Sequence, residues 1–256
     1  MTSFRMTSKL FCAAFWWLGL ALLYVPVLTL IVYSFVNMNA GGGVSLEGYI
    51  KVIQSERITE ALKSSLLIAT FSATISTSLG GLAAWGLERG RSRFDGVLET
   101  LAMAPLVLPE VVFGLGLLIW FVLLRVRLGA VSLILAHVTF SLSYVILTVR
   151  GRAKLLDPAI DDAARDLGAS GWQLFSRIQL PLLAPALFAG WMMAFTLSFD
   201  DFLISFFTSG PDTVTLPIAL YGIIKFGVGQ EVFAIASCVF AVSFVSASLV
   251  ARFSRA

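Results

Sequence analysis

Residues 180–208 read LPLLAPALFAGWMMAFTLSFDDFLISFFT. Apart from Asp200 and Asp201 the run is free of charge, and its 29 residues exceed the ~20 that a helix needs to cross hydrocarbon. It is apolar on every side and does not alternate over ~10 residues as a barrel strand does, so it reads as a membrane helix. Five further runs of this kind lie at about 11–36, 62–87, 97–124, 130–149 and 232–253. The whole chain agrees with them. Of 256 residues 58% are hydrophobic and 13% charged, and the mean hydropathy is +0.92. An average soluble domain carries about a quarter charged residues and a mixed exterior, so a soluble protein is excluded. Disorder requires low hydrophobicity, and a disulfide scaffold requires more than two cysteines. The expectation is an all-α polytopic membrane protein with six transmembrane helices in one domain.

Arg5 and Lys9 give the first run the positive start of a signal peptide. The apolar run that follows is about 26 residues, against 7–15 for a cleavable leader, so it reads as an uncleaved first span. Basic residues set the orientation. With the N-terminus in the cytoplasm, twelve of the 18 Lys and Arg fall inside, among them Arg89, Arg91, Arg93, Arg150, Arg152 and Arg255. Outside fall Lys51, Arg57, Lys63, Arg125, Arg127 and Lys225. Both termini are therefore expected in the cytoplasm. This bias accounts for the net charge of +3, which is no sign of nucleic acid. Cys12 and Cys238 should sit at different depths and read as small packing residues, not a disulfide.

The longest pieces outside the spans are about 37–61, 150–179 and 209–231. The first opens with Asn37 to Gly43, a turn-rich stretch, and the third with Ser209-Gly210-Pro211-Asp212. Residues 216–226 are apolar but short, as an interfacial or re-entrant helix would be. The second span carries two stripes at spacing four: Ser72, Ser76, Gly80, Ala84 and Ala69, Ala73, Thr77, Gly81. Small residues on one face let another helix approach closely. Pro105 with Pro109, and Pro181 with Pro185, are expected to bend the third and fifth spans.

The segment 157–181 begins Asp157-Pro158-Ala159-Ile160-Asp161-Asp162-Ala163-Ala164. Asp157 suits an N-cap, Pro158 the first helical position, Asp161 and Asp162 the positive helix end. Gly168 is a natural stop, and Ser170 a cap for a second helix. Two short helices in an L are expected, leading into the fifth span. Anionic lipid would not attract these acids, so a protein partner fits better than a headgroup surface. The series Asp162-Ala163-Ala164, Gly168, Ile178 and Leu180-Pro181 resembles the EAA coupling motif of permease subunits in bacterial binding-protein-dependent ABC importers, with Asp for the leading Glu. The resemblance implies a type I ABC importer permease fold and a cytoplasmic segment (157–178) that docks on an ATPase. It assigns coupling to Asp162, Ala163, Ala164 and Gly168. No G-x-x-x-x-G-K-[ST] occurs in the chain, so ATP and Mg are expected at a partner ATPase and no cofactor or metal on this chain.

Three carboxylates fall deep in the spans: Glu110, Asp200 and Asp201. A charge at mid-membrane costs about 2.5–3.5 kcal/mol on insertion scales, and acids kept there tend to line a pathway. No Lys or Arg lies equally deep, which favours a cationic substrate. On a continuous helix Asp200 and Asp201 diverge by ~100°. Asp201 would share its face with Ser198, Ser205 and Thr208, so it is favoured as the pathway residue, with Asp200 as an orienter. At 1.5 Å per residue Glu110 and Asp201 would differ in depth by ~10 Å, as suits a ligand with separated positive charges. Phe113, Phe199 and Phe202 could face an ammonium group, although packing is the commoner role of a phenylalanine.

The stretches Leu197 to Phe207, Ser209-Gly210-Pro211, Thr215-Leu216-Pro217 and Ala104 to Glu110 resemble the polyamine importer permeases. The similarity covers most of the chain and is nearest the second permease of spermidine/putrescine transporters. It implies putrescine or spermidine as substrate and adds Tyr49 as a ligand candidate. It further implies a bacterial inner-membrane location, a sister permease, two cytoplasmic ATPase subunits and an extracytoplasmic substrate-binding protein. The same machine for another solute stays open. An ion-coupled secondary transporter would not need the coupling segment, and adjacent aspartates lack the geometry of an intramembrane protease. His137, the single histidine, reads as a packing residue and is assigned no role.

Overall fold

The computed structural model describes residues 2–37, 43–89, 95–227 and 229–253. The glycine-rich stretch at 38–42, with Arg91, Arg93 and Arg255, lies outside the described residues. All regular structure among them is helical: α1 (Thr2–Ser34), α2 (Glu47–Gln54), α3 (Glu56–Arg89), α4 (Asp95–Val107), α5 (Glu110–Leu123), α6 (Ala130–Ala153), α7 (Pro158–Asp166), α8 (Gly171–Gln173), a π-helical turn (Leu174–Gln179), α9 (Leu180–Phe199), α10 (Leu203–Thr208), α11 (Leu216–Phe226) and α12 (Gln230–Phe253). Five helices are long and apolar enough to cross a membrane, and the bent pair α4–α5 makes a sixth candidate.

The chain divides into two compact units, one of Met1–Glu56 with Gly222–Phe240, the other of Arg57–Tyr221 with Ala241–Ala256. In the first unit the apolar run of α1 from Phe15 to Tyr33 is largely exposed, with Trp16 at 72% and Leu22 at 78%. Surface of that kind needs lipid or another chain over it. Helix α2, which the sequence left as loop, holds Gly48 so close to Gln230 that a Cβ there would lie 2.8 Å from the Gln230 carbonyl oxygen.

The second unit has its core where α3, α6 and α9 meet. Ala73, Ala84, Val145, Ile146, Val149, Leu183 and Ala194 form one buried apolar cluster. Val145 sits between two glycines: a Cβ on Gly80 would lie 2.9 Å from its Cγ1, and one on Gly190 would lie 3.4 Å from it. The small-residue stripes of α3 are what permits this approach. Ser72 and Ser76 add hydroxyl bonds to the Ile134 and Val138 carbonyls of α6, each 3.4 Å.

Two spans are broken, the third at Pro109 as its prolines suggested and the fifth well past Pro181 and Pro185. Helices α4 and α5 meet at 111°. Pro109 has no N–H for the turn before it and excludes helical geometry at Leu108. In the fifth span the helix ends at Phe199 and resumes at Leu203, so residues 180–208 are not one continuous helix. The expected L in 157–179 is also corrected. Helix α7 is separate, but α8 runs through the π-helical turn into α9, as one helical stretch Gly171–Phe199. The turn between α7 and α8 is made at Gly168, whose φ of +83° suits glycine.

Candidate functional site

Both breaks lie at acids. Glu110 is the first residue of α5, directly after Pro109. Asp201 lies in the gap between α9 and α10, where its carboxylate takes the place of helical carbonyls. Oδ1 accepts the Ile204 N–H at 3.3 Å and Oδ2 the Ser205 N–H at 2.7 Å. A short acid that captures free amide donors starts a helix as an N-cap does. The break sets the Asp201 and Glu110 carboxyl groups near one another. The ~10 Å offset expected from continuous helices is therefore wrong, because neither span is continuous.

The two aspartates are unlike. Asp201 is buried, with 7% of its surface exposed, whereas Asp200 is exposed. Helical spacing places Ser198 and Ser205 with Asp201, and beyond the direct bond from the Ser205 N–H their two hydroxyls meet it through an intermediary. His137 of α6, 1% exposed, has Nδ1 at 2.5 Å from Ser198 Oγ and Nε2 at 3.1 Å from Ser205 Oγ. Its Nε2 is 3.4 Å from Asp201 Oδ2. Among the described residues, no Lys or Arg pairs with these acids, and His137 is the basic group beside Asp201. The sequence reading missed it, since a lone histidine in an apolar run carries no spacing signal. Of the aromatics, Phe199 is buried and stacked on Phe195, and Phe113 packs on Phe140. Phe202 is half-buried against Tyr221, ring centroids 4.9 Å apart. Tyr49 belongs to the first unit, where its hydroxyl meets Ser34 Oγ at 2.8 Å and its ring faces Phe35.

The 157–179 segment forms a second constellation. Asp157 caps α7 by accepting the Ala159 N–H at 2.9 Å. Asp162, Ala163 and Gly168 are exposed. Ala164 is buried at 6%, so it packs within the chain and is not on the outer face with them. Asp161, which the sequence placed only as a helix-end charge, is buried and anchors α7. Its Oδ2 accepts from Gln179 Nε2 at 2.9 Å and from Arg89 Nε at 3.1 Å. Gln179 in turn accepts from Trp85 Nε1 at 2.6 Å. This network ties α7, the π-helical turn and the end of α3 around a cavity of about 680 Å³. Beside it, Arg150 of α6 pairs with Glu88 of α3 and, at 2.5 Å, with Glu99 of α4.

The family model of the binding-protein-dependent transport system inner membrane component matches residues 76–256. The spermidine/putrescine transport system permease protein PotC of Escherichia coli (strain K12) is 38% identical over 238 residues, 91% of this chain and 90% of its own. The putrescine transport system permease protein PotI of the same organism is 38% identical over 249 residues, 92% of this chain and 89% of its own. A solved bacterial ABC transporter involved in the import of the acidic polysaccharide alginate has a chain of the same fold. The TM-score is 0.70 at 16% identity, over 98% of this chain and 95% of that one. The fold is that of a type I ABC importer permease. The family match over residues 76–256 and these long alignments lead to one conclusion: the chain belongs to the inner membrane components of binding-protein-dependent transport systems, as a multi-pass permease subunit and not an enzyme.

Proposed function

We propose that this permease moves a polyamine, putrescine or spermidine, across the inner membrane in an ATP-driven importer. The observation that carries the reading is the Glu110–Asp201 pair, two acids near one another within the spans and without a Lys or Arg partner among the described residues. A passing ammonium group supplies the positive charge that the pair lacks. Asp200, exposed beside it, and Tyr49 are further pathway residues. The names of the two E. coli relatives support the same substrate class. The site holds its cargo weakly, since tight binding would impede release.

The chain pairs with a sister permease and rests on two cytoplasmic ATPases, which hold the ATP and Mg. An extracytoplasmic binding protein delivers the substrate, and both termini lie in the cytoplasm. Closure of the ATPases pushes the 157–178 segment at Asp162, Ala163 and Gly168, and the spans switch from inward to outward access. Ala164 supports this surface from within.

The test is uptake of radiolabelled putrescine and spermidine in cells without polyamine importers of their own. The cells express this chain with the subunits encoded beside it, as wild type and as Asp201→Asn. ATP-dependent uptake that falls about tenfold in the variant is expected, the loss of one charge-compensating contact being worth about 1.4 kcal/mol. Unchanged uptake in the variant removes the pathway assignment. An assembled, ATP-hydrolysing complex that imports no polyamine moves the substrate to another solute.

A further inference from the structure

The break in the fifth span leaves Asp201 between two helical pieces, and one side chain reaches both. His137 sits on α6 with one ring nitrogen at each side of the gap. Nδ1 is 2.5 Å from Ser198 Oγ in α9, and Nε2 is 3.1 Å from Ser205 Oγ in α10. Nε2 is also 3.4 Å from Asp201 Oδ2, the oxygen that accepts the Ser205 N–H at 2.7 Å. A carboxylate oxygen can only accept, so the nitrogen facing it is the N–H donor. Nδ1 then accepts the Ser198 hydroxyl, and a neutral imidazole satisfies every polar atom of the ring. A histidine that only filled space would need no partner on each side of a helix break. Its burial and its three polar neighbours fix the ring, and through it the angle between α9 and α10.

We propose that His137 is the positioning residue of the substrate pathway. It staples the broken span together and aims the Asp201 carboxylate at Glu110, so that the two acids meet an ammonium group as one preset site. The inference rests on the reading of Glu110 and Asp201 as the cation site. It assigns His137 no contact with substrate. Its effect passes through Asp201, and this distinguishes it from a packing role.

The experiment uses the complete transporter in proteoliposomes, with binding protein and radiolabelled putrescine. His137→Ala, His137→Gln, Ser198→Ala, Asp201→Asn and the His137→Ala/Asp201→Asn double variant are compared at equal amounts of assembled complex. His137→Ala is expected to lower uptake about tenfold, within the range for a misplaced functional group. Glutamine, which can still donate to Asp201, restores most of it. In the Asp201→Asn background the alanine lowers uptake no further, because the group it positions has gone. Wild-type uptake in His137→Ala, or an equal further loss in the double variant, overturns the positioning role. If His137→Ala does not assemble, Ser198→Ala decides: it frees one ring nitrogen and keeps the imidazole, and uptake lowered about threefold is expected, on the scale of one neutral hydrogen bond. Wild-type uptake there overturns the proposal. Unchanged uptake in Asp201→Asn refutes the cation site itself. Loss in Asp201→Asn with none in the histidine and serine variants refutes the staple alone.

Discussion

Asp200 and Asp201 stand side by side in sequence and differ in everything else. Asp201 is buried and holds the Ile204 and Ser205 amides, while Asp200 is exposed. Neutralising each alone should separate them. Asp201→Asn is expected to cost about tenfold in uptake, and Asp200→Asn less than about threefold, since it is Asp201 that the Ile204 and Ser205 amides hold in place. Uptake assays on the two variants at equal membrane abundance check this, and equal losses would contradict it. The acids themselves were legible from the sequence as candidates, because unpartnered charge in an apolar run is costly. Preference for Asp201 came from a helical face that the break at Asp200 interrupts. The serine hydroxyls of that face reach Asp201 through His137, whose place no spacing could reveal.

Among the elements, α7 illustrates how a helix is held as well as how it forms. Its start was readable, because Asp157 and Pro158 are a cap and a first residue whatever surrounds them. What holds it was not: Asp161, Gln179, Trp85 and Arg89 come from three parts of the chain. Asp161→Ala leaves the Arg89 guanidinium, largely buried, without its carboxylate, a loss on the order of 3 kcal/mol. The expected result is uncoupling. ATP hydrolysis stimulated by the binding protein persists while uptake per ATP falls severalfold. Measuring both on one reconstituted sample decides the matter, and a fall in both to the same degree would show a plain loss of folded complex. The proline pairs show the same division. Bends were expected at both, yet the third span turns through 111° at Pro109, whereas α9 begins before Pro185 and continues past it.

On the scale of the whole molecule, the chain has helices long and apolar enough to cross a membrane and no G-x-x-x-x-G-K-[ST] in its sequence. Purified alone it should hydrolyse no ATP above background. With its ATPase partners it should support hydrolysis, and uptake should stop on ATP depletion. Hydrolysis by the chain alone would contradict the division of labour, and ion-gradient-driven uptake without ATP would restore the secondary transporter. The sequence by itself determined that the chain crosses the membrane repeatedly, which family it resembles and which acids lie in its apolar runs. Each of these rests on composition or on short spacing, properties that survive without knowledge of what packs where. Tertiary structure alone decided that Glu110 lies near Asp201, that His137 stands beside Asp201 and that Ala164 faces inward. Those facts depend on where two helices break. A break is settled when a proline or a capping acid competes against continuous helical hydrogen bonding, and the outcome depends on groups dozens of residues away.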